Sequence, residues 1–81
     1  MERWLYESLL SLSWGNSEQF EEIRGFKLWS ALVNWLKVNN IRYNCTTIGR
    51  GMRVDYVFTI DGRCARRLGR ILDKMFNEVK W

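Results

Sequence analysis

Residues 41–60, IRYNCTTIGRGMRVDYVFTI, decide how this chain folds. Ile41, Tyr43 and Cys45 share one face of an alternating run, and Val54, Tyr56, Phe58 and Ile60 share one face of a second. Gly49-Arg50-Gly51 between them suits a short hairpin loop, with glycine in the left-handed position and Arg50 at the exposed tip. A two-stranded sheet is marginal by itself in water. The face carrying Ile41, Tyr43, Val54, Tyr56 and Phe58 must therefore pack on helices.

The flanking sequence supplies those helices. Asp61 is placed to cap a last helix over about residues 62–79, in which Cys64, Leu68, Ile71, Leu72, Met75, Phe76 and Val79 recur at helical spacing. Upstream, Leu5, Tyr6, Leu9, Leu10 and Leu12 line one side of a helix over residues 2–13. Trp14-Gly15-Asn16-Ser17 interrupts it. Asn16 or Ser17 then caps a second helix, with Glu18, Glu21 and Glu22 at its positive end and Gly25 as a point of kinking. Phe26, Leu28, Trp29, Leu32, Val33, Trp35 and Leu36 cover half its circumference, which makes it the central helix, and Asn39-Asn40 ends it. The expected fold is α+β, in the order helix, helix, hairpin, helix (ααββα), as one domain over residues 1–81.

Composition narrows the function. Hydrophobic residues make up 47% of the 81 residues and aromatics 15%, enough for one core of large side chains and too much for a disordered chain. Lys27, Asn34 and Lys37 interrupt the richest apolar stretch, so none reaches the about 18–20 residues that span a bilayer. Glu2 and Glu7 flank the first apolar residues, unlike a signal peptide, and no membrane partner is expected. The cytosol is the expected location. Cys45 and Cys64 are too few for a disulfide framework and are expected as core thiols. With no histidine, the usual general base, the Ser-His and Cys-His pairs and most zinc sites are excluded. There is no phosphate-binding glycine loop, so neither an enzyme, a cofactor nor a metal is expected. The acids Asp55, Asp61, Glu18, Glu21 and Glu22 read as caps and solvated surface.

Charge carries the positive signal. Residues 1–41 hold four Lys/Arg and five Asp/Glu, a net −1, whereas residues 42–81 hold nine and four, a net +5. At about 100° per residue, Arg63, Arg66, Arg67, Arg70 and Lys74 fall within roughly 100° of arc on the last helix, nearly opposite its apolar stripe. Asp73 and Glu78 flank them. Repulsion between like charges at i,i+4 costs a few tenths of a kcal/mol per pair, which suggests a compensating use. Four of the five are arginine, whose planar fork meets phosphates and carboxylates bidentately. Arg50 and Arg53 on the hairpin, with Arg42, would extend this surface.

The expected function is non-enzymatic docking on a polyanion, nucleic acid or a nucleic-acid-handling complex, by backbone or shape rather than by base sequence. The alternative is a small inhibitor or adaptor, of the kind viruses and mobile elements encode, that binds an acidic or apolar patch of a larger protein. Trp4, Trp14 and Trp81 would then be its anchors. A homodimer through the first helix, around Trp4 and Tyr6, is the third arrangement. Two nucleic-acid-binding folds do not fit. A winged helix would read DNA with residues near Phe26–Val38, which are mostly apolar, and a double-stranded-RNA-binding domain has three strands before its basic helix where two are legible here.

Overall fold

The computed structural model describes the backbone of residues 1–81 and the side chains of all but residues 22–26 and 50. Its elements are α1 (Arg3–Ser13), β1 (Glu18–Glu21), α2 (Glu22–Val38), β2 (Asn44–Arg50), β3 (Arg53–Thr59) and α3 (Gly62–Met75), followed by a 3-10 turn at Phe76–Glu78. The fold is α+β, with the hairpin β2–β3 packed on helices as its alternation requires. The sheet has one strand more than the hairpin. It is antiparallel in the order β1-β3-β2.

That extra strand corrects the expected start of the second helix. Glu18–Glu21 lies extended against β3, with Glu18 opposite Phe58 and Phe20 opposite Tyr56. The acids at positions 18, 21 and 22 favour a helix N-terminus locally, but pairing with the other side of β3 and packing of the half-buried Phe20 against Phe58 (ring centroids 6.0 Å) prevail. Glu18 is then held on the core side of the sheet, where burial pushes its carboxyl above the ordinary value of 4.5 and a hydrogen bond with Ser11 offsets part of the rise. Above that value the unfolded chain has released a proton that the native chain still holds, so this group lowers stability as pH rises through the window. Glu18→Gln is expected to melt at a higher temperature than the parent at pH 7, with the gap closing below pH 4.5. The kink expected at Gly25 falls among residues 22–26, outside the described side chains.

Both N-terminal helices end in the same way. After α1, Gly15 takes a left-handed φ of +88°, and its N–H and that of Asn16 donate to the carbonyls of Leu12 and Ser11. After α2, Asn40 takes a φ of +56°, its N–H donates to Lys37, and that of Ile41 donates to Leu36 at 2.9 Å. This is the paired 6→1 and 5→2 pattern of a Schellman stop, with the buried Ile41 and Leu36 as its apolar contact. Asn40→Gly is expected to raise stability by a few tenths of a kcal/mol, and Asn40→Val to lower it by about 1–2 kcal/mol, measured by urea unfolding.

Phe58 sits at the centre, fully buried, with the rings of Tyr43 at 5.8 Å, Phe20 at 6.0 Å and Trp29 at 6.5 Å. Helix α2 lies across β1 and β3, burying Leu32, Val33 and Leu36. Helices α1 and α3 run antiparallel, Tyr6 beside Phe76 at one end and Ser13 beside Gly69 further along, with Leu5, Leu9, Leu12, Ala65, Leu68 and Leu72 between them.

Four local expectations change. Cys45 shares the face of Phe58, but α2 covers β1 and β3 and leaves β2 open, so Cys45 is exposed; Cys64 is half-buried, and both are free thiols. The hairpin turn is Gly51-Met52, with Gly51 at φ +62°, so Arg50 is the last residue of β2 and Met52 the exposed tip. Strand β2 begins at Asn44, because Ile41 is used in the Schellman stop. Helix α3 ends at Met75, near the start of α1, and passes into the 3-10 turn. The chain then turns back over that start, burying Val79, pairing Lys80 with Glu2 and leaving Phe76 exposed.

Candidate polyanion-binding surface

Asp61 sets the first turn of α3. Its Oδ1 accepts hydrogen bonds from the backbone N–H groups of Arg63 (3.1 Å) and Cys64 (3.0 Å). The bond from Cys64 chiefly holds the carboxyl below its ordinary value, and the nearby charge of Arg42 adds to this. Burying Ala65, Leu68 and Leu72 against α1 then turns Arg63, Arg66, Arg67, Arg70 and Lys74 outward, and all five are exposed. Among the described residues none of the five has a carboxylate within 4.0 Å, whereas Arg3, Arg53 and Lys80 do. From Arg63 to Lys74 the face is about 16 Å long, the rise of about five base pairs.

Arg42, expected to extend this surface from the hairpin, lies instead beside α3. With Ile41 buried by the Schellman stop, Arg42 emerges beside the start of α3. A shallow hollow of about 440 Å³ is lined by Asn40, Ile41, Arg42, Cys64 and Arg67. A second, of about 360 Å³, shares Arg42 with Tyr43, Asn44 and Asp61. Sequence periodicity assigns Arg42 to the hairpin, and only the left-handed Asn40 could have hinted that the chain turns before the strand begins.

Arg53 is engaged elsewhere. Its Nε donates to Oδ1 of Asp55 at 2.9 Å, and Gln19 Nε2 donates to Oδ2 at 2.7 Å. Asp55 is fully buried despite its place on the sheet face away from Phe58, and it raises the Arg53 pKa above its ordinary value through that hydrogen bond and its charge. The Arg50 side chain lies outside the described residues. Hairpin and ridge are also separate in space: β3 runs about 20 Å from Arg53 to Thr59, away from the turn, before α3 begins, and α3 packs on α1.

The tryptophans divide. Trp4 is half-buried and packs on the core, Trp14 is exposed after α1, and Trp81 is 61% exposed. Trp81 stands 5.2 Å from the ring of Phe76 and 5.5 Å from that of Tyr6, and Phe76 is the member of this cluster that the helical stripe concealed. No described helix is long and apolar enough to cross a membrane, and among the described residues no three His, Cys, Asp or Glu side chains gather as metal ligands. No family model, curated protein or solved structure matches this chain.

Proposed function

We propose that this protein works by binding, docking the α3 face of Arg63, Arg66, Arg67, Arg70 and Lys74, with Arg42 beside it, on the phosphates of a nucleic acid or a nucleic-acid-handling complex. The observation that carries this reading is the set of five exposed cations on one helical face with no carboxylate partner among the described residues. A face serving solubility would more often intersperse both signs. The rigid backing of Ala65, Leu68 and Leu72 favours recognition of backbone and shape. Arg53 is left out of this reading because its Nε is paired with Asp55.

Fluorescence-anisotropy titration of labelled duplex DNA, duplex RNA and single strands at several salt concentrations tests the reading. Five phosphate contacts give an expected log–log slope of about −4 to −5 on duplex DNA. Absence of binding to every probe at low salt would overturn it. A second reading, an inhibitor or adaptor of a larger protein, draws on the exposed Phe76 and Trp81, since exposed aromatic anchors concentrate binding energy. Under that reading Trp81→Ala weakens partner binding strongly, and the α3 charges mainly set its rate and salt dependence.

A further inference from the structure

An open sheet edge invites pairing, and proteins guard edges with short strands, charges, prolines, bulges or a covering helix. The two edges of this sheet differ. Strand β1 has four residues, carries Glu18 and Glu21, and lies against α1 and α2. Strand β2 has seven, contains neither proline nor an acid, and pairs with β3 without a bulge; its residues Asn44 to Gly49 are all exposed.

The two-residue turn determines which backbone groups of β2 face outward. In such a hairpin the pair flanking the turn, Arg50 and Arg53, exchanges hydrogen bonds, and bonded and unbonded pairs alternate from there. Ile48, Thr46 and Asn44 therefore direct N–H and C=O at β3. Gly49, Thr47 and Cys45 direct theirs away from it, evenly spaced about Thr47.

We propose that β2 pairs with β2 of a second copy of this chain, antiparallel and centred on Thr47, joining two three-stranded sheets into one of six. Thr47 then opposes itself across the two-fold axis, Cys45 opposes Gly49, Thr46 opposes Ile48, and Asn44 opposes Arg50. The outward N–H and C=O groups at 45, 47 and 49 of the two copies meet as hydrogen-bonded pairs. Charge selects this arrangement. Arg50 is the one charged residue of the strand, and antiparallel pairing sets its two copies about 20 Å apart, beyond the Debye length of about 8 Å, whereas parallel pairing makes them neighbours. Thr46, Thr47 and Ile48 are β-branched, as a pleated seam favours. The α3 face takes no part in the seam.

Sedimentation equilibrium of the full chain from about 10 μM to about 1 mM tests the pairing. The expected mass rises toward twice 9.8 kDa. Thr47→Lys, which sets like charges face to face at the axis, is expected to weaken the dimer at least about 30-fold while the circular-dichroism spectrum stays that of the folded chain. In a Cys45→Ser/Cys64→Ser background, Thr47→Cys is expected to form a reducible dimer under mild oxidation, since opposed Cα atoms about 5.5 Å apart suit a disulfide, and Ile48→Cys is not. A monomer at every concentration overturns the proposal. So does a dimer that survives Thr47→Lys and crosslinks no better at position 47 than at 48.

Discussion

Reversing Arg66, Arg67 and Arg70 together to glutamate is expected to weaken binding to duplex nucleic acid at least about 100-fold at low salt and to flatten the log–log salt slope to about −2. The three occupy the middle of the α3 face, so their loss leaves only Arg63 and Lys74 at its ends, with repulsion between them. The fold is expected to survive. All three side chains are exposed and opposite the buried Ala65, Leu68 and Leu72. Reversal also relieves the i,i+4 repulsions with Arg63 and Lys74, and a glutamate at position 70 precedes Lys74 in the favourable order. Thermal melts of parent and variant should therefore be close while anisotropy titrations differ widely. A variant that binds as tightly as the parent would remove α3 from the interface.

The second large effect is on stability. Phe58→Ala is expected to cost about 3–5 kcal/mol, read as a fall in the urea midpoint with little change of slope. Phe58 is fully buried on the middle strand, and the rings of Phe20, Trp29 and Tyr43 come from β1, α2 and the connection before β2. Its removal leaves a cavity among the three rings, and a domain of this size has roughly 4–12 kcal/mol to lose. Phe58→Leu, which keeps most of the volume, is expected to cost less than about 1.5 kcal/mol.

Elements with a long, regular pattern were legible in the sequence. The α3 stripe, its Asp61 cap and its basic face follow from helical spacing alone, and Val54, Tyr56, Phe58 and Ile60 announce β3. What stayed hidden depends on residues far along the chain. The four residues of β1 are too short and too acidic to read as a strand, and only pairing with β3 makes them one. That missing strand also concealed the burial of Asp55, since Gln19 of β1 donates to one of its carboxylate oxygens while Arg53 donates to the other. Cys45 shows the converse: its alternation is right, but being on the core side of a strand does not bury a residue when the covering helix lies over the other two strands. Arg42 was misplaced because a left-handed Asn40 turns the chain before the strand begins.

The antiparallel packing of α1 on α3 also sets the order in which the molecule can assemble as it is made. Helix α1 is made before the rest of the domain, yet Leu5, Leu9 and Leu12 have their main partner in a helix that ends at Met75. At about 5–20 residues per second, α1 waits roughly 3–12 s for it. Strand β1 waits similarly for β3, whereas its contacts with α1 and α2 are complete in sequence at Val38, before the β2–β3 hairpin ends at Thr59. During synthesis the nascent chain therefore offers a leucine-rich helix to chaperones, and its core closes only when the final helix is delivered.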